Sequence, residues 1–263
     1  MEISTIDKRN EIIGLVKKMI LIVFYFLVMF EISDILADWI KNAFPDGDPI
    51  FLSIIFQYII YVPIFVLAIF MLSKDIKKSI KDAGKMKTLY LVAFCGIGLI
   101  ACYVGIYFGD LISMIIDPLT EDSANQNAIQ TMYLSKYGPL MILDVCVIGP
   151  MVEELVFRGS IQKGLLKLNV KPWIAIIITA ITFGFIHVID AGDYSQVFPY
   201  IFMGISLGYV SYKTKNLVPN TIIHVLINTI ASSVIIIQGL LQELGLIQMN
   251  IIEILEKILW LKK

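Results

Sequence analysis

Apolar runs of about twenty residues, each long enough to cross a bilayer as a helix, recur along this chain and leave little room for any other fold. They predict spans near 18–39, 50–72, 88–116, 138–160, 172–190, 197–212 and 217–240. An amphipathic stretch at 246–261 follows, with Asn250, Glu253 and Lys257 on one helical face. It suits either an interfacial helix or an eighth span, and the charge pattern favours the span. Composition agrees: 58% of the 263 residues are hydrophobic and 16% charged. Soluble domains have roughly 45–50% and about 25%. The expected fold is therefore all-α, a polytopic integral membrane bundle of about eight helices in a single domain, 1–263. The first run lacks an Ala-x-Ala-like exit and reads as a retained span.

Lysine and arginine orient the spans. Segment 1–18 carries Lys8, Arg9, Lys17 and Lys18; loop 73–88 carries six, segment 158–171 four and loop 213–216 two. The alternate connections hold Lys41 and Lys136 alone, so the count is sixteen against two. By the positive-inside rule the N terminus and the lysine-rich loops face the cytoplasm. The formal net charge of −1 and the lack of any single-sign tail point away from nucleic acid. Cys95, Cys102 and Cys146 all lie in apolar runs and read as small core residues.

A bilayer offers no water to its polar groups, so ionisable residues inside spans are candidates for function. Glu31, Asp34 and Asp38 fall near the outer end of the first span and are expected to face a loop or the interface. Asp110 and Asp144 are lone acids whose simplest role is structural. Three clusters are harder to set aside. The first is Glu153-Glu154-Leu155-Val156-Phe157-Arg158, just after Gly149-Pro150. Glu154 and Arg158 stand at i and i+4 with the acid first, the favourable order for an ion pair. Glu153 then turns about 100° away and can face another helix. A solvated charge cluster at a helix end would explain the same residues. The second cluster runs from Phe183 to His187, and the third from His224 to Asn228, one turn on one face. These are the two histidines of the chain, and both fall inside apolar runs.

Spacing allows the three to meet. With a turn at Val170, Glu153 and His187 are each seventeen residues from it, hence level at about 25 Å. His224 lies only about 13 Å past the turn near Lys215. The difference of about 12 Å vanishes if the 158–171 hairpin projects beyond the cytoplasmic surface, as Arg158, Lys163 and Lys167 favour.

These three clusters, in this order on successive helices, resemble the signatures of the CAAX protease and bacteriocin-processing (CPBP, or Abi) family: E-E-x-x-x-R, F-x-x-x-H and H-x-x-x-N/D. Each motif alone is weak; three in order, about 35 residues apart, are specific, and the likeness covers about 138–235. The resemblance implies a catalytic core there, with a conical cavity open to the cytoplasm and the bilayer. It implies an intramembrane endopeptidase acting on a peptide or protein substrate near the membrane. Glu153 and His187 would activate water, with Glu153 as general base. His224 and Asn228 would stabilise the oxyanion, while Glu154 and Arg158 brace the helix and Phe183 supports the site. Amide hydrolysis does need an activated water and donors aimed at the developing oxyanion. Zinc stays open as an alternative: Glu153, His187 and His224 would form a His₂Glu ligand set with one position left for water. The H-E-x-x-H spacing that would make zinc compelling is lacking. Two non-protease readings also remain, an ion-coupled transporter and a non-catalytic immunity or scaffold protein of the membrane. Against the first, no inverted repeat is visible.

Overall fold

In the computed structural model, residues 5–118 and 123–245 are described, residues 5–8 by their backbone alone. The stretch 246–261 lies outside the described residues, and with it the choice between an eighth span and an interfacial helix. Among the described residues every regular element is helical. α1 (Thr5–Leu27) passes through a wide π-helical turn, Val28–Ile32, into α2 (Ser33–Ala43). α3 (Pro49–Ala83) begins where the Asp48 carboxylate accepts from the backbone N–H groups of Ile50 and Phe51, with Pro49 at the first helical position. Both are favoured helix-start features. α4 (Thr88–Ile116) and α11 (Leu217–Glu243) are the other long helices. Among the described residues, four rods are long and apolar enough to cross a membrane: Arg9–Ala43, Pro49–Ala83, Thr88–Ile116 and Leu217–Glu243.

The remaining elements are shorter or interrupted. The 138–160 run expected as one span is a broken rod that continues to Lys167. It comprises α6 (Gly138–Leu143), a wide turn Asp144–Ile148, α7 (Gly149–Glu153), a second wide segment Glu154–Gln162, and α8 (Lys163–Lys167). Pro150 has no N–H to give, and the preceding Gly149 N–H reaches back five residues to the Asp144 carbonyl. The Ser160 hydroxyl likewise donates to the Leu155 carbonyl five residues earlier, at 3.1 Å. The span expected over 172–190 is a helix only to Phe185, as α9 (Pro172–Phe185). α10 (Val197–Thr214) follows after a looser connection. α5 (Ala124–Tyr133), capped by Ser123, is an element the hydropathy reading did not contain. Its Asn125, Gln126, Asn127 and Gln130 interrupt any apolar run.

Close packing of α9, α10 and α4 fixes the site's walls. A Cβ on Gly109 of α4 would sit 2.4 Å from the Pro199 nitrogen, so α10 touches bare backbone there. The Gly204-x-x-x-Gly208 spacing packs inside the bundle against α9, with Gly204 facing Ala180 and Gly208 facing Ile176. The buried Gly204 and Gly208 carbonyls accept from Arg158 (3.2 Å) and Gln162 (2.8 Å). Toward the lysine-rich ends, a core of Leu21, Tyr25, Ile64, Leu72, Val156, Phe157, Phe183 and Leu217 closes the bundle. Lys18 is buried there, paired with Asp75 and donating to the Gly159 carbonyl at 2.9 Å. Arg158, counted by sequence among the cytoplasmic charges, is instead fully buried. Without Arg158 and the buried Lys18, fourteen basic residues (16 − 2) face two, and the asymmetry stands.

Candidate active site

Glu154, more than its neighbour, organises the centre of the bundle. It is fully buried, and its carboxylate accepts from three side chains, one on its own segment and two on α11. Oε1 receives Arg158 Nη1 at 2.9 Å and His224 Nδ1 at 3.1 Å. Oε2 receives Asn220 Nδ2 at 3.2 Å. The Asn220 amide also donates to the Leu207 carbonyl at 2.6 Å, tying α11 to α10. A buried carboxylate needs a partner for its charge and donors for its lone pairs, and here it has both. Arg158 lies over the Phe183 ring at 4.7 Å and uses its second nitrogen on the Gly204 carbonyl. The solvated-cluster explanation of the first motif is therefore excluded: Glu153, Glu154 and Arg158 are all buried.

Glu153 points to another partner. Its Oε2 lies 3.5 Å from His224 Nε2, so the imidazole stands between two carboxylates, one on each nitrogen. It is His224, not His187, that comes within ion-pairing reach of Glu153. His187 falls just beyond the end of α9, in a turn where its Nδ1–H donates to the Phe183 carbonyl at 2.8 Å. That bond places the proton on Nδ1 and turns Nε2 outward as an acceptor in the neutral ring. Its ring stacks on Tyr200 with centroids 4.4 Å apart, and Phe183 stands beside both histidines at 4.8 and 5.9 Å. Asn228 commits one amide N–H to the Val145 carbonyl at 2.8 Å, in the first wide turn.

Glu153, Phe183, His187, His224 and Asn228 line one cavity of about 560 Å³. The structure thus brings the three clusters together. Sequence reasoning missed four contributors. Asn220 sits one turn before His224 on the same face, so a ladder Asn220, His224, Asn228 was there to be read. Tyr200 carries no polar signature among apolar residues. Its hydroxyl meets Ser123 Oγ at 2.8 Å and accepts from Asn125 at 3.3 Å, holding the start of α5 at the cavity. Asp144, read as structural, is buried on the cavity wall with Oδ1 unpartnered in the protein. Asp190, in the turn after His187, also lines it. Glu31, Asp34, Asp38 and Asp110 are exposed.

The cavity lies toward one end of the bundle. Its lining includes Gln57 near the start of α3, Asn125 and Ile129 of α5, Asp190, and Ile235 toward the end of α11. All belong to the lysine-poor half, and the buried core lies beneath Glu153 and His224 on the lysine-rich side. Glu153, His187 and His224 do not assemble as a ligand set: among the described residues no group of three or more His, Cys, Asp or Glu side chains is placed to hold a metal ion.

Residues 135–230 match the family model described as type II CAAX prenyl endopeptidase, Rce1-like. The protein named "Putative membrane peptidase YdiL" of Bacillus subtilis (strain 168) is 30% identical over 91 residues, 35% of this chain and 35% of that protein. The chain thus spans about a third of the length of the curated relative it matches. No solved structure matches. The resemblance carried by the three motifs is borne out over this segment, and with the apolar helices it marks an integral membrane protein.

Proposed function

We propose that this protein is an intramembrane endopeptidase whose water is activated by Glu153 on the wall of the cavity. The observation that carries the reading is the pair Glu153 and His224, 3.5 Å apart, buried yet lining a cavity large enough for a peptide segment. In the proposed reaction a water lies between Glu153 and His187 Nε2. Glu153 takes one proton as the water oxygen bonds to the substrate carbonyl carbon. The developing oxyanion is received by His224 Nε2–H, with the ring in its imidazolium form, and by the second N–H of Asn228. Glu154 holds His224 through Nδ1 and so fixes which nitrogen faces the cavity. The C–N bond then breaks, and Glu153 returns its proton to the leaving amine. No step is routed through a metal, since the residues as placed do not form a ligand set.

The test is cleavage of a quenched peptide library by the purified protein, with bound metal measured by elemental analysis on the same samples. Cleavage that is lost in folded Glu153→Gln, His187→Ala and His224→Ala supports the assignment. Activity surviving Glu153→Gln sinks it, and stoichiometric zinc lost with the three residues would replace the glutamate-activated water by a metal-assisted one.

A further inference from the structure

We infer that Tyr200 is a positioning residue of the proposed hydrolysis: its ring fixes the plane of His187, and its hydroxyl ties that ring to α5. The inference rests on the endopeptidase reading above. His187 needs such support because α9 ends at Phe185, and the histidine falls in the turn that follows. There its ring is anchored by the bond from Nδ1–H to the Phe183 carbonyl at 2.8 Å. A hydrogen bond fixes one edge of a ring and leaves the ring free to tilt about it. The Tyr200 ring removes that freedom. It lies nearly parallel to the imidazole, with 16° between planes and 4.4 Å between centroids. Stacked rings at this separation attract one another. Phe183 meets the same imidazole at 4.8 Å and 56°, so His187 is held by two rings as well as a carbonyl.

Tyr200 serves this purpose only if its own place is fixed, and the backbones beside the stack are locked. A Cβ on Gly184, in the last turn of α9 before His187, would lie 2.6 Å from the Ile201 side chain and 3.2 Å from the Val197 carbonyl. Gly109 of α4 presses in the same way on Pro199, the neighbour of Tyr200. The end of α9 and the start of α10 therefore cannot slide past each other without a clash. The hydroxyl end of Tyr200 is fixed too, by Ser123 Oγ at 2.8 Å and Asn125 Nδ2 at 3.3 Å. Ser123 caps α5 by accepting the Gln126 N–H at 3.2 Å, and the Ala124 N–H donates to Asp193 at 2.8 Å. Ala124, Asn125, Gln126 and Ile129 of α5 line the cavity together with His187 and Tyr200. The ring thus orients a group that activates water, while the hydroxyl holds a wall that a bound peptide would touch. These roles fall on different constants. A misoriented proton-transfer group slows the chemical step, and a loosened wall weakens substrate binding.

The two histidines of the chain allow a test that needs no activity. Isotopic labelling of the histidine ring nitrogens gives two imidazole signals by magnetic resonance, and His187→Ala identifies which is which. His187 should appear in its Nδ1–H form in wild type and in Tyr200→Phe, which keeps the ring. In Tyr200→Leu it should become a mixture of Nδ1–H and Nε2–H forms, with the His224 signal unmoved. A His187 signal unchanged in Tyr200→Leu overturns the inference, and so does one that moves together with His224, because that reports general loosening. In cleavage of the quenched peptides, Tyr200→Leu should lower kcat about tenfold or more. Tyr200→Phe should recover most of that loss while raising KM about threefold or more, as should Ser123→Ala. A kcat as low in Tyr200→Phe as in Tyr200→Leu would move the hydroxyl into the chemistry and overturn the positioning role. A KM unchanged in both Tyr200→Phe and Ser123→Ala would remove the tie to α5. If no peptide is cleaved while the histidine signals follow the stated pattern, the endopeptidase reading fails and the placement of His187 by Tyr200 survives.

Discussion

Two layers of this bundle differ in how completely their polar groups are satisfied. In the floor, Glu154 is held by Arg158, His224 and Asn220, and Gln162 reaches the Gly208 carbonyl. Above it, Glu153 meets His224 at a loose 3.5 Å, and Asp144 Oδ1 has no protein partner. Adjacent carboxylates on one helix thus fall in opposite situations, one closed by protein and the other facing a cavity. A satisfied buried network rigidifies, whereas an open polar group is left for substrate and water. The contrast teaches that the first glutamate of the motif faces the cavity while the second is committed to protein partners.

Breaking the floor should cost most. Arg158→Ala leaves the Glu154 charge buried without its cation, a loss of about 3–5 kcal/mol. The expected outcome is failure to recover monodisperse protein in detergent; a variant as stable as wild type would show that the network is not a structural floor. Glu153→Gln attacks the other layer. It should leave the thermal midpoint nearly unchanged and lower cleavage on the order of 10²-fold or more. Asn220→Ala lies between the two, removing a donor from Glu154 for about 1–3 kcal/mol. It should lower the thermal midpoint while a measurable fraction of cleavage remains, and loss of cleavage without loss of stability would move Asn220 from the floor to the site.

The smallest effect belongs to a place outside both layers. Asp48 caps α3, and the backbone N–H of Phe51, then that of Ile50, hold its carboxyl below the ordinary carboxylate range, with help from Lys136. A depressed acid stabilises the fold above its unfolded pKa and loses that contribution as pH falls through the folded value. Asp48→Ala should therefore lower the thermal midpoint slightly near neutral pH. The gap from wild type should close in acid, and a gap independent of pH would show that the carboxylate's charge plays no part.

The helical class and most motif residues were legible because period and hydropathy are local signals. Glu154 with Arg158 could be paired from helical spacing, but its bonds to Asn220 and His224 cross from the broken rod to α11, and spacing within one helix does not contain them. Pro150 was visible as a breaker, whereas the wide segment Glu154–Gln162 depends on bonds such as Ser160 to Leu155 that no propensity announces. α5 was missed because a short polar helix has no long apolar stripe. The place of the cavity needed three dimensions, because only packing brings the buried core together beside His224.

α9 has a further consequence for the lipid around it. Its fourteen residues rise only about 21 Å, against a hydrocarbon thickness of about 30 Å. Trp173, Ile177, Ile178, Ile181 and Phe185 are exposed along it, so acyl chains must match this short stripe. Hydrophobic mismatch of this kind is relieved by local thinning of the bilayer. The headgroup region is then drawn inward beside the turn that carries His187. For the endopeptidase proposed above, a peptide segment resting at ordinary interfacial depth would then lie nearer the level of the histidine on this side of the protein, with acyl-chain length as a control on how near.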